Sequence, residues 1–136
     1  MASPKILVVD DDESILVLLE KRLQTDGYQV IKAMTGKEAL SKAKLFLPHL
    51  IILDIMLPDM DGGETVKHLK AAHETCRIPV IFLSGIVEED GGDSPTVTVE
   101  DQVYSAVAKP IDFQVLSGAI NQYIQKGEED ASDKKD

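Results

Sequence analysis

Tryptophan is absent from this 136-residue chain, cysteine occurs once, and phenylalanine and tyrosine occur three times each. The lone Cys76 permits no internal disulfide and fits a reducing cytoplasm, so an apolar core must hold the fold. Only Arg77 stands near enough in sequence to favour a thiolate, so Cys76 reads as an unreactive thiol. Basic residues are also scarce. Fourteen Lys and Arg stand against 24 Asp and Glu, a net charge of −10, and no basic stripe is visible. That balance argues against direct nucleic-acid binding, because a phosphate backbone needs clustered cations. No apolar run approaches the roughly 20 residues that span a bilayer, and residues 1–5 carry no signal-peptide pattern. A cytoplasmic protein without a membrane anchor is expected.

The length allows one domain with a proper core and not two, and a hydrophobic content of 43% is that of a globular domain. Residues 127–136 hold five acids and two lysines with little to bury, and are expected to form an acidic disordered tail.

The chain is organised around His49-Leu-Ile-Ile-Leu-Asp54-Ile-Met-Leu-Pro58-Asp-Met-Asp-Gly62. An unbroken apolar run ended by turn residues suits a strand buried on both faces, which places Asp54 at its carboxyl end. Open α/β sheets bind ligands at that end. Asp54 alone could be an ordinary strand-terminating residue, but other runs end in the same way. Lys5-Ile-Leu-Val-Val leads into Asp10-Asp11-Asp12, Ile78-Pro-Val-Ile-Phe-Leu leads into Ser84-Gly85, and Ala106-Val-Ala leads into Lys109-Pro110. Two like charges about 4 Å apart repel by roughly 4 kcal/mol at an effective dielectric near 20, so gathered acids must protonate or find a cation. A hard divalent ion with oxygen ligands suits them.

Helical segments alternate with these runs. Residues 13–26 place Ile15, Leu16, Leu18, Leu19 and Leu23 on one face, with Gly27 as a stop. Residues 28–33 read as a short edge strand. Thr35-Gly-Lys-Glu38 and Asp61-Gly-Gly-Glu64 read as capping boxes opening helices that bury Leu40, Ala43 and Leu47, and Val66 and Leu69, respectively. A last helix starts at the cap Asp112 and packs Val115, Leu116, Ala119, Ile120 and Ile124. Such alternation implies parallel strands with helices on both faces.

Val9-Asp10-Asp11, Leu53-Asp54 through Pro58 to Asp61-Gly62, Leu83-Ser84-Gly85 and Lys109-Pro110 together resemble the receiver domain of bacterial two-component response regulators, of the chemotaxis single-domain type. The resemblance covers residues 4–126. It implies a flavodoxin-like, doubly wound α/β fold with a five-stranded parallel sheet in the order 2-1-3-4-5, which sets the first strand beside the third. It implies phosphorelay signalling, in which Asp54 accepts a phosphoryl group from a sensor histidine kinase or a histidine phosphotransfer protein. Mg2+ would be held by Asp10, Asp11, Asp54 and the backbone carbonyl of Met56. Lys109 would pair with Asp54, its bond to Pro110 being cis, and Ser84 would donate to the phosphoryl group. The chain would act on itself alone rather than as an enzyme, switch binding to a downstream protein, and exist as a monomer or weak dimer. The acidic tail suggests a natural end and hence a stand-alone receiver.

Three departures from the family stand out. The aromatic residue expected three before the lysine is Ala106; either Tyr104, two residues earlier, substitutes for it or aromatic coupling is absent, and absence, with Tyr104 as plain packing, is expected. The fourth connection, from Glu88 through Gly91-Gly92 and Pro95 to Val99, has poor helix propensity. A loop with at most a short helix over residues 99–104 is expected in place of the family's fourth helix. Met56 and Ile86, two residues after Asp54 and Ser84, are apolar where polar residues orient an attacking water in fast-hydrolysing relatives, so a long-lived phosphorylated form is expected.

Weaker signals lead nowhere. His68 and His73 lie five apart, about 140° around a helix, and cannot share a metal there; His73 would be a packed or rim residue on the Val66 and Leu69 stripe. Asp59-Met-Asp61-Gly62 fails as a calcium loop, because Leu57 and His68 fall at its end ligands. Of the rival functions, a phosphorylation-independent pseudo-receiver that only binds proteins conflicts with the intact acids, Ser84 and Lys109. An aspartyl-phosphate phosphatase lacks a second acid at Met56.

Overall fold

The computed structural model describes residues 3–85 and 96–133, with side chains of the last helix described through Ile124. Its elements are β1 (Lys5–Val9), α1 (Glu13–Thr25), β2 (Gln29–Ala33), α2 (Gly36–Phe46), β3 (Leu50–Asp54), α3 (Gly62–Ala71), β4 (Val80–Ser84), β5 (Thr96–Val99), β6 (Gln102–Ala108) and α4 (Phe113–Asp133). The sheet order is β2-β1-β3-β4-β6-β5. The first five of these strands are parallel, in the expected doubly wound order.

The apolar runs of β1, β3 and β4 are buried on both faces because successive side chains enter different cores. Ile6, Val8, Leu50, Ile52, Ile81 and Leu83 meet α1 and α4 through Leu16, Leu19, Leu116 and Ile120. Leu7, Val9, Ile51, Leu53 and Phe82 meet α2 and α3 through Ala39, Ala43, Val66 and Leu69. Three expected core residues lie outside it, among them Val115, which α4 turns to solvent one position before the buried Leu116. Leu18 is exposed at the edge of the α1 stripe, and Leu47 is exposed as the left-handed C-cap of α2 (φ 48°), with Ala39 filling the stripe instead.

The caps follow the sequence. Thr35 Oγ1 accepts from Glu38 N at 3.0 Å, and Glu38 Oε1 accepts from Met34 N, which pulls the Glu38 carboxyl below its usual range. Asp61 Oδ1 accepts from Glu64 N at 2.7 Å, and Asp112 Oδ1 from Gln114 N at 2.9 Å. Gly27 supplies the positive φ (98°) that ends α1. Helix α3 stops at Ala71, so His73 lies in an exposed turn rather than on the helix stripe. Thr75 is buried there instead, its hydroxyl donating to Leu69 O.

The fourth connection departs from expectation. Residues 99–104 form no short helix; β5 and β6 pair as an antiparallel hairpin, Val99 opposite Gln102 and Val97 opposite Tyr104. Alternating Thr and Val suit a half-buried strand, with Val97 and Val99 against the core. Glu100 and Asp101 both take positive φ (46° and 68°), the sign pattern of a type I′ turn, whose twist matches that of a hairpin. Glu88 and the glycines and proline at 91, 92 and 95, like Ile86, lie outside the described residues. Helix α4 continues to Asp133, so residue 126 falls inside it, and residues 127–133 are helical where a disordered tail is expected.

Candidate functional site

The register of the parallel strands assembles the site. Val9 pairs with Leu53, so the next residues, Asp10 and Asp54, come side by side where β1 and β3 end. Asp54 pairs with Leu83, which brings Ser84 alongside, and Ser84 pairs with Ala108, which delivers Lys109. Lys109 N donates to Ser84 O at 2.9 Å, and the Lys109-Pro110 bond is cis. Asp11, Asp54, Ile55, Met56, Ser84, Gly85 and Lys109 line a cleft of about 380 Å³.

The three carboxylates each place an oxygen within 4.8 Å of the others. Asp10 is fully buried, Asp54 nearly so, and Asp11 exposed. Lys109 Nζ is the counter-charge: it donates to Asp54 Oδ2 at 3.1 Å and stands 2.8 Å from Asp10 Oδ2. Burial opposes the charge on Lys109, but contact with Asp10 and Asp54 outweighs it and raises its pKa above the usual lysine value. The remaining oxygens are held by backbone. Asp54 Oδ1 accepts from Met56 N at 3.2 Å, and Asp10 Oδ1 from Asp12 N at 2.9 Å.

Asp12, which the sequence reading passed over, thereby orients Asp10 while capping α1. Its carboxyl accepts from the Ser14 hydroxyl and Ser14 N, which lowers its pKa. The residue sits directly before a helical stripe, a cap position that composition alone signals.

One ammonium does not balance three carboxylates. Asp10 Oδ2 is buried and has only the charge contact with Lys109, without an aligned hydrogen-bond donor among the described residues. An oxygen-only donor set carrying excess negative charge fits a hard divalent cation better than a thiophilic one. Of the two departures near the site, Ala106 lies buried opposite Phe82 in the register, and Tyr104 packs its ring on Phe82. Met56 is 69% exposed at the cleft. His68 and His73 are exposed and away from the cluster.

A five-stranded parallel array with acids at the first and third strand ends, a hydroxyl at the fourth and a lysine at the last defines a class of phosphorelay protein. The chain belongs to the response regulator receiver domain family, whose pattern it matches over residues 6–121. It is 48% identical over 85 residues to the alkaline phosphatase synthesis transcriptional regulatory protein PhoP of Bacillus subtilis, covering 62% of this chain and 35% of that one. It is 32% identical to sporulation initiation phosphotransferase F of the same organism, covering 91% of this chain and 96% of that one. The chemotaxis protein CheY4 of Vibrio cholerae superposes with a TM-score of 0.76 at 27% identity, covering 90% of this chain and 100% of that one. The first relatives are longer: this chain spans 35% of PhoP and 25% of the response regulator PleD of Caulobacter vibrioides.

The chain is therefore a receiver domain of two-component signalling, a family in which phosphorylation on Asp is general. Receivers interact with histidine kinases or phosphotransfer proteins and normally bind Mg2+ at an acidic pocket. Among the described residues no helix is long and apolar enough to cross a membrane.

Proposed function

We propose that residues 4–126 form a phosphorylatable switch in which Asp54 takes a phosphoryl group from a partner's phosphohistidine. The observation that carries this reading is Lys109 Nζ, 3.1 Å from Asp54 and 2.8 Å from Asp10, a cation committed to two buried carboxylates. A carboxylate oxygen of Asp54 forms the bond to phosphorus as the phosphorus–nitrogen bond breaks and the imidazole leaves with the bonding pair. Negative charge meets negative charge in that step, so positioning and electrostatic stabilisation supply the catalysis. Asp10, Asp11, Asp54 and the Met56 carbonyl would hold Mg2+, which neutralises charge on the phosphoryl oxygens when bound.

Lys109 holds Asp54 in place before transfer and turns to the phosphoryl oxygens afterwards. Ser84, at the end of the neighbouring strand, donates its hydroxyl to the same oxygens. Its inward movement shifts the population between two states of the domain and so changes binding to a downstream protein. The chain catalyses only its own phosphorylation and dephosphorylation. Met56 presents no polar atom of its side chain to orient water at the cleft, which supports a long-lived phosphorylated form.

The test is incubation with Mg2+ and acetyl phosphate followed by intact mass. A gain of one phosphoryl group, lost in Asp54→Ala and accompanied by amide shifts around Ser84 and the β5–β6 hairpin, is the expected result. No modification and no shift, with Mg2+ bound, would overturn the reading and leave a module that binds proteins without phosphorylation.

A further inference from the structure

The loop between β3 and α3 is held at its two ends by backbone hydrogen bonds, one of them to β4. Ile55 N donates to Leu83 O at 3.1 Å, and Gly62 N closes the loop on Ile55 O at 2.6 Å. The middle of the loop is held by a different element. Asp59 Oδ1 accepts from Gly36 N at 2.8 Å and Asp59 Oδ2 from Lys37 N at 2.9 Å, the first two amides of α2. Met60 lies over Gly36, where an added Cβ would stand 2.3 Å from Met60 Cγ. Helix α2 is in turn fastened to β2, with Lys42 Nζ donating to Lys32 O at 2.6 Å.

Helix α2 already has its own cap in Thr35, so the Asp59 carboxylate adds something besides a cap. Two parallel bonds from one carboxylate to successive amides fix the direction of the loop as well as its place. Between this anchor and Met56 lie only Leu57, half-buried against the core, and Pro58, whose ring fixes φ. Little freedom remains for the Met56 peptide.

We infer that Asp59 is a positioning residue for the cation site: tied to α2, it sets where the Met56 carbonyl stands and hence how tightly the site holds Mg2+. The inference rests on the ligand role given to that carbonyl above. Groups that orient metal ligands typically alter affinity by about 10- to 100-fold when removed.

The experiment is an Mg2+ titration of the full chain followed by amide shifts of residues 54–56, with thermal unfolding alongside. Asp59→Ala is expected to weaken Mg2+ binding about tenfold, and Asp59→Asn, which keeps one acceptor oxygen, to fall between it and the parent. Thr35→Ala, which removes the α2 cap but leaves the anchor, should lower the melting temperature without changing Mg2+ affinity. Parent-like binding by Asp59→Ala, or an equal loss in Thr35→Ala, would overturn the positioning role. If the parent itself shows no saturable shift that Asp11→Ala removes, the ligand assignment fails, and the role of Asp59 with it.

Discussion

The ring of Tyr104 meets that of Phe82 edge-on, with centroids 5.6 Å apart and planes at 85°. Phe82 also fills the space beside Gly62, where an added Cβ would lie 2.9 Å from its Cε1. Contact therefore runs from the end of the β3–α3 loop through Phe82 to the hairpin. An aromatic pair of this geometry contributes about 0.5–1.5 kcal/mol beyond its buried area. Tyr104→Leu should destabilise the domain by about 1–2 kcal/mol in urea unfolding, and Tyr104→Phe by much less. Equal losses in the two variants would show that the ring contact is immaterial.

Lys109 should contribute to the loss of stability at alkaline pH. Its folded-state pKa is raised above 10.5 by Asp10 and Asp54 against the opposing effect of burial. A raised pKa means that its contribution is complete below the unfolded value and is lost as pH rises through the folded one. Tyr104, raised by burial and then by Glu100, loses stability in the same direction. Only a comparison isolates Lys109: stability of Lys109→Met should fall less steeply than that of the parent above about pH 10.5. Parallel curves would refute this.

Three carboxylates around one ammonium should make the protein more stable when a divalent cation is added. At a hundred times its dissociation constant, Mg2+ should add about 2.7 kcal/mol to the unfolding free energy. Asp11→Asn should lose most of that gain while unfolding no earlier than the parent in chelator, because one repelling charge has gone. A parent melting temperature indifferent to Mg2+ would contradict both expectations.

The same substitution should have opposite signs at two glycines. A Cβ at Gly62 would stand 2.8 Å from Ile55 Cα and 2.9 Å from Asp54 O, backbone atoms with no room to give. Gly62→Ala should cost about 1–3 kcal/mol. Gly118, in α4, has nothing within 4 Å of the added atom, so Gly118→Ala should gain up to about 1 kcal/mol from helix propensity. Chemical denaturation of both variants would expose a matching sign.

At the hairpin turn, Asp101 holds φ 68°, a conformation that costs an L-residue roughly 1–2 kcal/mol per position. Asp101→Gly relieves it, and a rise in melting temperature is expected with no change in Mg2+ affinity.

Much of this was legible in the chain because burial on both faces writes itself as unbroken apolar runs. The runs into Asp10, Asp54 and Ser84 became β1, β3 and β4, and their register delivered Lys109 to the acids. Asp59 was not legible as an anchor, since a carboxylate reaching an amide 23 residues away leaves no periodic trace. The hairpin was hidden for another reason. Glu100-Asp101 is an unusual pair for a turn that prefers Asn or Gly, and the glycines upstream made the whole connection read as a loop. Leu18 and Leu47 show the remaining limit: an apolar residue can share a helical face on paper and still stand at its solvent edge.

The division of β6 has a consequence for how the chain folds. Residues from Gln102 to Ser105 pair with a strand reached by a two-residue turn, whereas Ala106 to Ala108 pair with β4, some two dozen residues upstream. Closing the short ribbon costs little chain entropy and takes on the order of 1–10 μs. The last strand should therefore enter the sheet with one edge already occupied, and pulse-labelled amides from 97 to 104 should gain protection before those of 106–108.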